Sequence, residues 1–574
     1  KKYRLETISR LLTAEPEKIL SKKKSDYFYS IDTSAAAECE LEKIKEKICD
    51  STVKAVSFDV FDTLVLRPFY YPTDLFSYLS FDFNKLAKSD SYVYFEQIRI
   101  DAEKLCRKKL QANGSGAEDI TLGDIYACLA ETYGLGKALA DEMQALELKA
   151  EMRFCYARKT AKELYGLAKY LGKKVIAVSD MYLPEQTVKE ILQNCGYEMD
   201  EVFVSSERKT GKWSGNLYKY VQKTMALPKR SFLHIGDSLE SDVIQAKKAG
   251  WNAAWLPKCT DMLENNVPDL YGGDAMRGFS GTSGAVDMAS AHTWLGWRCA
   301  MALAANKLFD DPFVSINKET DFNADPYRIG YFALGPYLYA VTDWLLKKAK
   351  EKGAKTVHFA ARDGYIPMRA TQLFAEYGRE VPKTDYVYFS RKAMALADMG
   401  KGTDLRSLTG KLNIRKQSTE KLFGLFQPYL KDEFQGAGKA ELCRALHCTE
   451  SVFEKNFLEQ EEFDACLTRL EKLIDFSKLR AYRNKLGEHF KKIFAPGDLI
   501  FDIGYSGRVE AALCGLIGYP VNSLYIHTNH DIAGRREQFF GFSADTFYHF
   551  KPAISGGVRE HVFMKLAPSA IGYE

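Results

Sequence analysis

Ala55-Val56-Ser57-Phe58-Asp59-Val60-Phe61-Asp62-Thr63-Leu64-Val65 is the stretch that decides the reading of this chain. An apolar, β-branched run leads to Asp59, a second carboxylate and a hydroxyl follow within four residues, and the chain then turns apolar again. That pattern predicts a buried strand that exits into a tight polar turn. Open α/β sheets place their ligands at such strand exits. A single Asp there is also a common helix cap. Its meaning therefore depends on what the later strands bring beside it.

Three later runs have the same form. Lys174-Val175-Ile176-Ala177-Val178-Ser179-Asp180 ends in a hydroxyl and a carboxylate. Glu201-Val202-Phe203-Val204-Ser205-Ser206 leads into the basic turn Arg208-Lys209-Thr210-Gly211-Lys212. Ser231-Phe232-Leu233-His234-Ile235-Gly236-Asp237 leads into Ser238-Leu239-Glu240-Ser241-Asp242, and Trp251-Asn252-Ala253-Ala254-Trp255 reads as a fifth strand. Strands alternating with helical stretches predict a parallel sheet. In one sheet, the strand ends would gather Asp59, Ser179, a lysine from Lys209 or Lys212, Asp237 and Asp242. Each has a structural reading as turn former, cap or surface charge; four in order at strand ends favour a site.

The predicted fold class is α/β: two Rossmann-like parallel-sheet domains, each with an inserted helical region. Residues 1–50, lysine-rich and helical in spacing, read as a lead-in. Residues 51–257 form the first domain, with a helical insert over about 67–165 whose faces include Ile98, Ala102 and Leu105. Residues 258–290, rich in glycine and serine, read as a linker. Residues 291–574 restart the strand–helix alternation, with a second helical insert over about 400–492.

Composition narrows the function. A net charge of +4 on 574 residues gives no reason to expect nucleic acid or an acidic membrane as partner. The twelve cysteines form no Cys-x-x-Cys pair, which predicts reduced core thiols in a cytoplasmic protein. No apolar run is long enough to span a bilayer. The start at Lys1 and the stop at Tyr573-Glu574 read as the ends of a piece of a longer protein.

Phe58-Asp59-Val60-Phe61-Asp62-Thr63-Leu64, Val178-Ser179-Asp180, Gly211-Lys212 and Gly236-Asp237-Ser238-Leu239-Glu240-Ser241-Asp242 together resemble the motif series of the haloacid dehalogenase superfamily, whose members are mostly phosphatases. The resemblance covers about residues 50–257 and implies that the insert is a C1-type helical cap. It implies Asp59 as the nucleophile that forms an aspartyl phosphate, Ser179 and Lys212 as catalytic partners, and Asp180 at the substrate. Lys209 is the rival for the lysine. It also implies a Mg²⁺ held by Asp59, the Phe61 carbonyl and Asp237, with Asp242 orienting its shell.

One position departs. Phosphatases of this superfamily usually carry a second Asp two residues after the nucleophile as general acid and base; here Phe61 stands there, and Asp62 should point elsewhere. Three expectations follow: a slow phosphatase, an enzyme for substrates with a good leaving group, or a site that does not turn over. Dehalogenation ranks below phosphoryl chemistry because Gly236-Asp237 and Asp242 are intact.

In the second half, Arg362, Asp363, Gly364, Ser390, Arg391, Asp502, Gly504, Ser506, Gly507 and Glu560 fall at or after strand ends. Glycine turns opening a helix can bind phosphate, and arginines suit phosphate or carboxylate. Phe359-Ala360-Ala361-Arg362-Asp363-Gly364, Tyr388-Phe389-Ser390-Arg391 and Asp502-Ile503-Gly504 are similar to phrases in large bacterial surface-polysaccharide synthesis proteins that are often fused to glycosyltransferases. The resemblances together imply a Mg²⁺-dependent phosphoryl hydrolase or phosphotransferase for a phosphorylated sugar or nucleotide-sugar, fused to or associated with a glycosyltransferase. The alternative is a silent binding or scaffold module.

Overall fold

The structure is a computed structural model that describes residues 36–88, 92–266, 288–314, 323, 325–388, 391–399, 405–406, 417–504, 506–539, 541–548, 563 and 565. The chain divides into two compact units that meet between Ala333 and Leu334.

The first unit is built on a five-stranded sheet in the order β5-β4-β1-β6-β7. Its strands are β1 (Ala55–Phe58), β4 (Lys174–Ser179), β5 (Glu201–Val204), β6 (Phe232–Gly236) and β7 (Asn252–Trp255). All four pairings are parallel. Continuous apolar runs suit strands covered on both faces. Alternation along each strand sends Val56, Phe58, Val175 and Ala177 to one core and Ala55, Ile176 and Val178 to the other. β1 lies at the centre, so its exit turn is flanked by the exits of β4 and β6.

The insert after β1 is tied off by a two-stranded antiparallel ladder, β2 (Val65–Leu66) with β3 (Tyr156–Ala157). Pairs this short carry no periodicity, and the sequence reading did not see them. Between them lie four helices, Asp74–Ala87, Phe95–Ala112, Leu122–Tyr133 and Lys137–Phe154. Ala102 is buried, as its spacing predicts. Inside the bundle Arg99 makes two contacts with Glu147, at 2.8 and 2.9 Å, and Tyr126 donates to the same carboxylate at 2.7 Å. Both charges are fully buried. Removing one partner of such a pair typically costs about 3–5 kcal/mol, whereas replacing both with apolar residues of similar volume is often neutral. Glu147→Ala is therefore expected to destabilise the protein by about that amount in urea unfolding, and the double variant Arg99→Met, Glu147→Leu to recover most of it.

The first unit extends past its expected end. The segment read as a linker begins as a helix, Cys259–Asn266; residues 267–287 lie outside the described ones. Helix Met288–Leu308 then packs on the inserted helices, with buried Arg298 donating to buried Asp74 at 2.8 Å. That charge pair assigns residues after 291 to the first unit rather than the second. Of the lead-in, helix Ala36–Cys49 is described, and it buries Ile44 and Ile48.

The second unit has its own five-stranded parallel sheet in the order β12-β11-β10-β8-β9. These strands are β8 (Thr356–Ala360), β9 (Lys383–Val387), β10 (Leu499–Asp502), β11 (Asn522–Tyr525) and β12 (Ala544–Thr546). β9 ends at Val387, and helix Arg391–Met399 follows it. β12 is three residues of half-buried backbone with little apolar signal, and sequence reading missed it. Helices from Arg391–Met399 to Phe476–Ile493 separate β9 from β10. Leu422, Phe426, Phe463, Leu467 and Leu470 form their core.

Among the described residues no helix is long and apolar enough to cross a membrane. The described cysteines with assigned surroundings are free thiols.

Candidate active site

Asp59 is the first residue after β1, and its amide donates to Ile235 O at 2.9 Å, which locks it beside the β6 exit. The side chain is buried. Lys212 Nζ lies 2.5 Å from Asp59 Oδ1 and 2.6 Å from Asp242 Oδ1, so the lysine joins the first and fourth motifs directly. Lys209, the rival, instead lies 4.0 Å from Asp124 on the surface.

Asp242 folds back against the end of β6. A Cβ on Gly236 would sit 2.4 Å from its carboxyl, so the position must be glycine. Ser238 N donates to Asp242 Oδ2 at 2.9 Å. His234 Nε2 lies 3.2 Å from Asp242 Oδ1, and its Nδ1 lies 2.8 Å from Ser57 Oγ. His234 and Ser57 are buried partners on neighbouring strands β6 and β1, and the sequence did not single them out as supports of the site. Thr63 Oγ1 donates to Asp237 Oδ1 at 3.4 Å. One ligand atom each from Asp59, Asp237 and Asp242 lie within 4.8 Å of one another.

Three carboxylates around one lysine cannot all ionise easily. Burial pushes the Asp59 carboxyl well up, against the pull of Lys212, and Asp242 and Asp237 push it further. Burial, Asp62 and Asp242 raise Asp237 to about 7. Burial would also raise Asp242, but Lys212 and His234 hold it below the ordinary carboxylate range. Lys212 stays protonated because Asp242 and Asp59 outweigh its burial. An excess of buried anionic oxygen is the donor set a hard divalent cation suits.

A pH dependence follows. An unfolded Asp ionises near pH 4. The folded state holds the Asp237 proton up to about pH 7. Stability of the metal-free protein should therefore fall as pH rises through that window. Mg²⁺ competes with the same protons, so it should raise the melting temperature more at about pH 8 than at about pH 6. Equal or absent stabilisation at both would contradict a carboxylate cation site.

Ser179 ends β4, next to β1, with its side chain buried. Asp180, the next residue, faces the lysine turn. Its two oxygens accept the backbone amides of Lys212 at 2.7 Å and Trp213 at 3.3 Å, so it orients the lysine turn. Glu118, from the helical insert, holds the same turn and was not singled out by the sequence; nothing in a loop Glu distinguishes it there.

Phe61 lies in the turn after β1, mostly buried, with the Arg67 guanidinium 4.9 Å from its ring centroid. Arg67 pairs with buried Glu151 at 3.0 Å. Asp62 has a left-handed backbone, φ 58°, and pairs with Lys258 at 2.8 Å.

In the second unit, Asp502 ends β10 and Gly504, Ser506 and Gly507 form the turn into helix Arg508–Ile517. Gly507 has φ 61°, and a Cβ there would meet Ile532 at 2.6 Å. Arg362 follows the neighbouring strand β8 with φ 72°, its amide donating to Tyr386 OH at 2.6 Å. Asp363 is next in that turn, and Gly364 has no room for a Cβ, which would lie 2.6 Å from Ala360 O. Arg391 opens its helix and is exposed. Ser390 and Glu560 lie outside the described residues. The turns after β8 and β10 thus share one sheet edge. Sequence reading missed Glu510, fully buried in the first turn of Arg508–Ile517, whose carboxyl is raised by burial and by Asp502. A lone acid in an otherwise apolar helix face was the available signal.

Residues 209–258 match a family model described as HAD-hydrolase-like. Among solved structures, the chain is similar to a 2-haloacid dehalogenase from Pseudomonas syringae pv. Tomato DC3000, at 16% identity over 35% of this chain and 86% of that one, TM-score 0.28. It is similar to L-2-haloacid dehalogenase from Xanthobacter autotrophicus at 18% identity, 42% and 88% coverage and TM-score 0.28. It is also similar to the magnesium-bound putative HAD-hydrolase YfnB from Bacillus subtilis at 16% identity, 36% and 88% coverage and TM-score 0.26. No curated protein matches. With its lysine turn and fourth motif inside the matched region, and its parallel sheet delivering Asp59 to both, the first unit carries a HAD-like hydrolase fold.

Proposed function

We propose that the first unit is a Mg²⁺-dependent phosphoryl hydrolase or phosphotransferase with Asp59 as its nucleophile. The observation that carries this reading is the Lys212 ammonium set between Asp59 and Asp242, with Asp237 completing a compact carboxylate cluster. A bound Mg²⁺, held by Asp59, Asp237 and the Phe61 carbonyl with Asp242 behind them, would neutralise charge shared by carboxylate and phosphate. An Asp59 oxygen attacks phosphorus, the bond to the leaving oxygen breaks, and an aspartyl phosphate forms. Lys212 aims Asp59 and pulls against the burial that favours its protonated form, a bound cation would add to that pull, and the ammonium offsets charge on the transferring group. Ser179 donates its hydroxyl to a phosphoryl oxygen. Water, or an acceptor hydroxyl, then releases the phosphate from Asp59.

The leaving group departs without help from position 61, since Phe61 has no proton to give. Substrates with stable leaving anions, such as acyl phosphates or diphosphates, fit that best. A phosphorylated sugar or nucleotide-sugar, and a role in surface-polysaccharide assembly beside a glycosyltransferase, rest on the resemblance of the second half. There the turns after β8 and β10 offer Arg362, Asp363 and the Asp502–Gly507 loop to such a ligand.

The second reading is a silent binding module. Phe61 packed beneath Arg67 favours it, because the acid's place is filled by a ring. Aryl phosphates and a panel of sugar phosphates, each with and without Mg²⁺, separate the two. Mg²⁺-dependent release supports the enzyme; a rate no different from buffer across the panel sinks it.

A further inference from the structure

We infer that Glu118, in the cap loop between helices Phe95–Ala112 and Leu122–Tyr133, is a positioning residue that holds the lysine turn, so that Lys212 is aimed at Asp59 by the cap as well as by the sheet. Its kinetic consequence rests on the phosphoryl-transfer reading above; the physical clamp does not.

Lys212 sits in a turn, not on a strand, so something must fix it. Two carboxylates divide its backbone donors. Asp180, from the β4 exit, accepts the amides of Lys212 and Trp213. Glu118, from the cap, accepts the amide of Gly211 at 2.8 Å and the Ser214 hydroxyl at 2.7 Å through Oε2, and the Asn216 side-chain amide at 2.6 Å through Oε1. Its own amide donates to Lys209 O at 3.0 Å. One cap residue therefore bonds to the turn on both sides of Lys212.

The neighbouring residues make the contact an extended seam. Asp119 accepts from Ser205 Oγ at 2.5 Å and from Arg107 at 2.8 Å, and Ser205 Oγ in turn accepts the Met181 amide at 2.9 Å. Leu122 N donates to Tyr182 O at 2.8 Å. The stretch 118–122 thus reaches the turns after β4 and β5 and the lysine turn together. Capping of helix Asn216–Met225 would by itself explain the Asn216 contact. It does not explain the bond to the Gly211 amide, one residue before the lysine and five before that helix. Lifting the cap would free Gly211 N and take Glu118 from the Ser214 hydroxyl, leaving Asp180 to hold the backbone of the turn at Lys212 and Trp213.

The test combines amide exchange with steady-state kinetics on the full chain. In Glu118→Ala, exchange at residues 210–214 should quicken at least tenfold. Loss of charge-assisted hydrogen bonds of this kind should lower kcat for an aryl phosphate about 10- to 100-fold, with KM little changed. Glu118→Gln keeps an acceptor for Gly211 and the residue's shape; it should fold and fall between the two in both readouts. Unchanged protection at 210–214 in either variant, or a change confined to KM, overturns the inference. Should wild type itself be inert on every phosphate ester, the phosphoryl-transfer reading fails, and the exchange comparison still decides the clamp.

Discussion

Asp59→Asn is expected to reduce Mg²⁺-dependent hydrolysis of aryl phosphates by roughly 10⁴- to 10⁶-fold, the scale seen when a covalent nucleophile is removed. The amide keeps the size of the carboxyl but has no anionic oxygen to attack phosphorus. It also removes one of the two anions that hold Lys212. The fold should survive, because the Asp59 backbone bond to Ile235 remains. In the metal-free protein, relief of the crowded carboxylates should leave stability unchanged or raised. Full activity in Asp59→Asn would show that turnover, if present, occurs elsewhere.

The second large effect concerns Phe61. General-acid help is typically worth about 10²–10⁴-fold, and a phenylalanine at position 61 supplies none. Wild type should therefore hydrolyse acyl and aryl phosphates faster than alkyl phosphates by a gap of about that size beyond their intrinsic difference. Phe61→Asp should narrow the gap and Phe61→Leu should leave it as it is. The Arg67 guanidinium, 4.9 Å from the Phe61 ring centroid, would hold a new carboxylate ionised and so limit the recovery. A flat dependence on leaving group in wild type would mean that another residue protonates it.

How much of this was legible in the sequence follows from the physics of each element. The first sheet was readable because its strands are continuous apolar runs, each ending in a polar residue that a buried strand does not otherwise need. Gly236 and Asp242, six residues apart, were joined in the sequence only by the motif they resemble; the fold adds the reason, since the glycine makes room for the carboxylate. What the sequence hid was side-chain direction. Asp180 stands beside Ser179 in a motif, yet it turns to the amides of Lys212 and Trp213. Glu118 lies 93 residues before Gly211 in sequence, and only the fold joins them. The end of the first unit was hidden too, because a glycine- and serine-rich stretch looks like a boundary, while the buried Arg298–Asp74 pair draws the following helix back. In the second unit, strand alternation was readable, but β9 and β12 are short and half-polar, and their limits were not.

In the proposed reaction Asp59 takes a phosphoryl group from substrate. Rapid acid quench of the protein with Mg²⁺ and an acyl or aryl phosphate, followed by peptide mass spectrometry, tests it most directly. One added phosphoryl group is expected on Asp59, removed by hydroxylamine as acyl phosphates are, and absent from Asp59→Asn. Turnover with no phosphoryl group on Asp59, or a phosphoryl group on another residue, would contradict it.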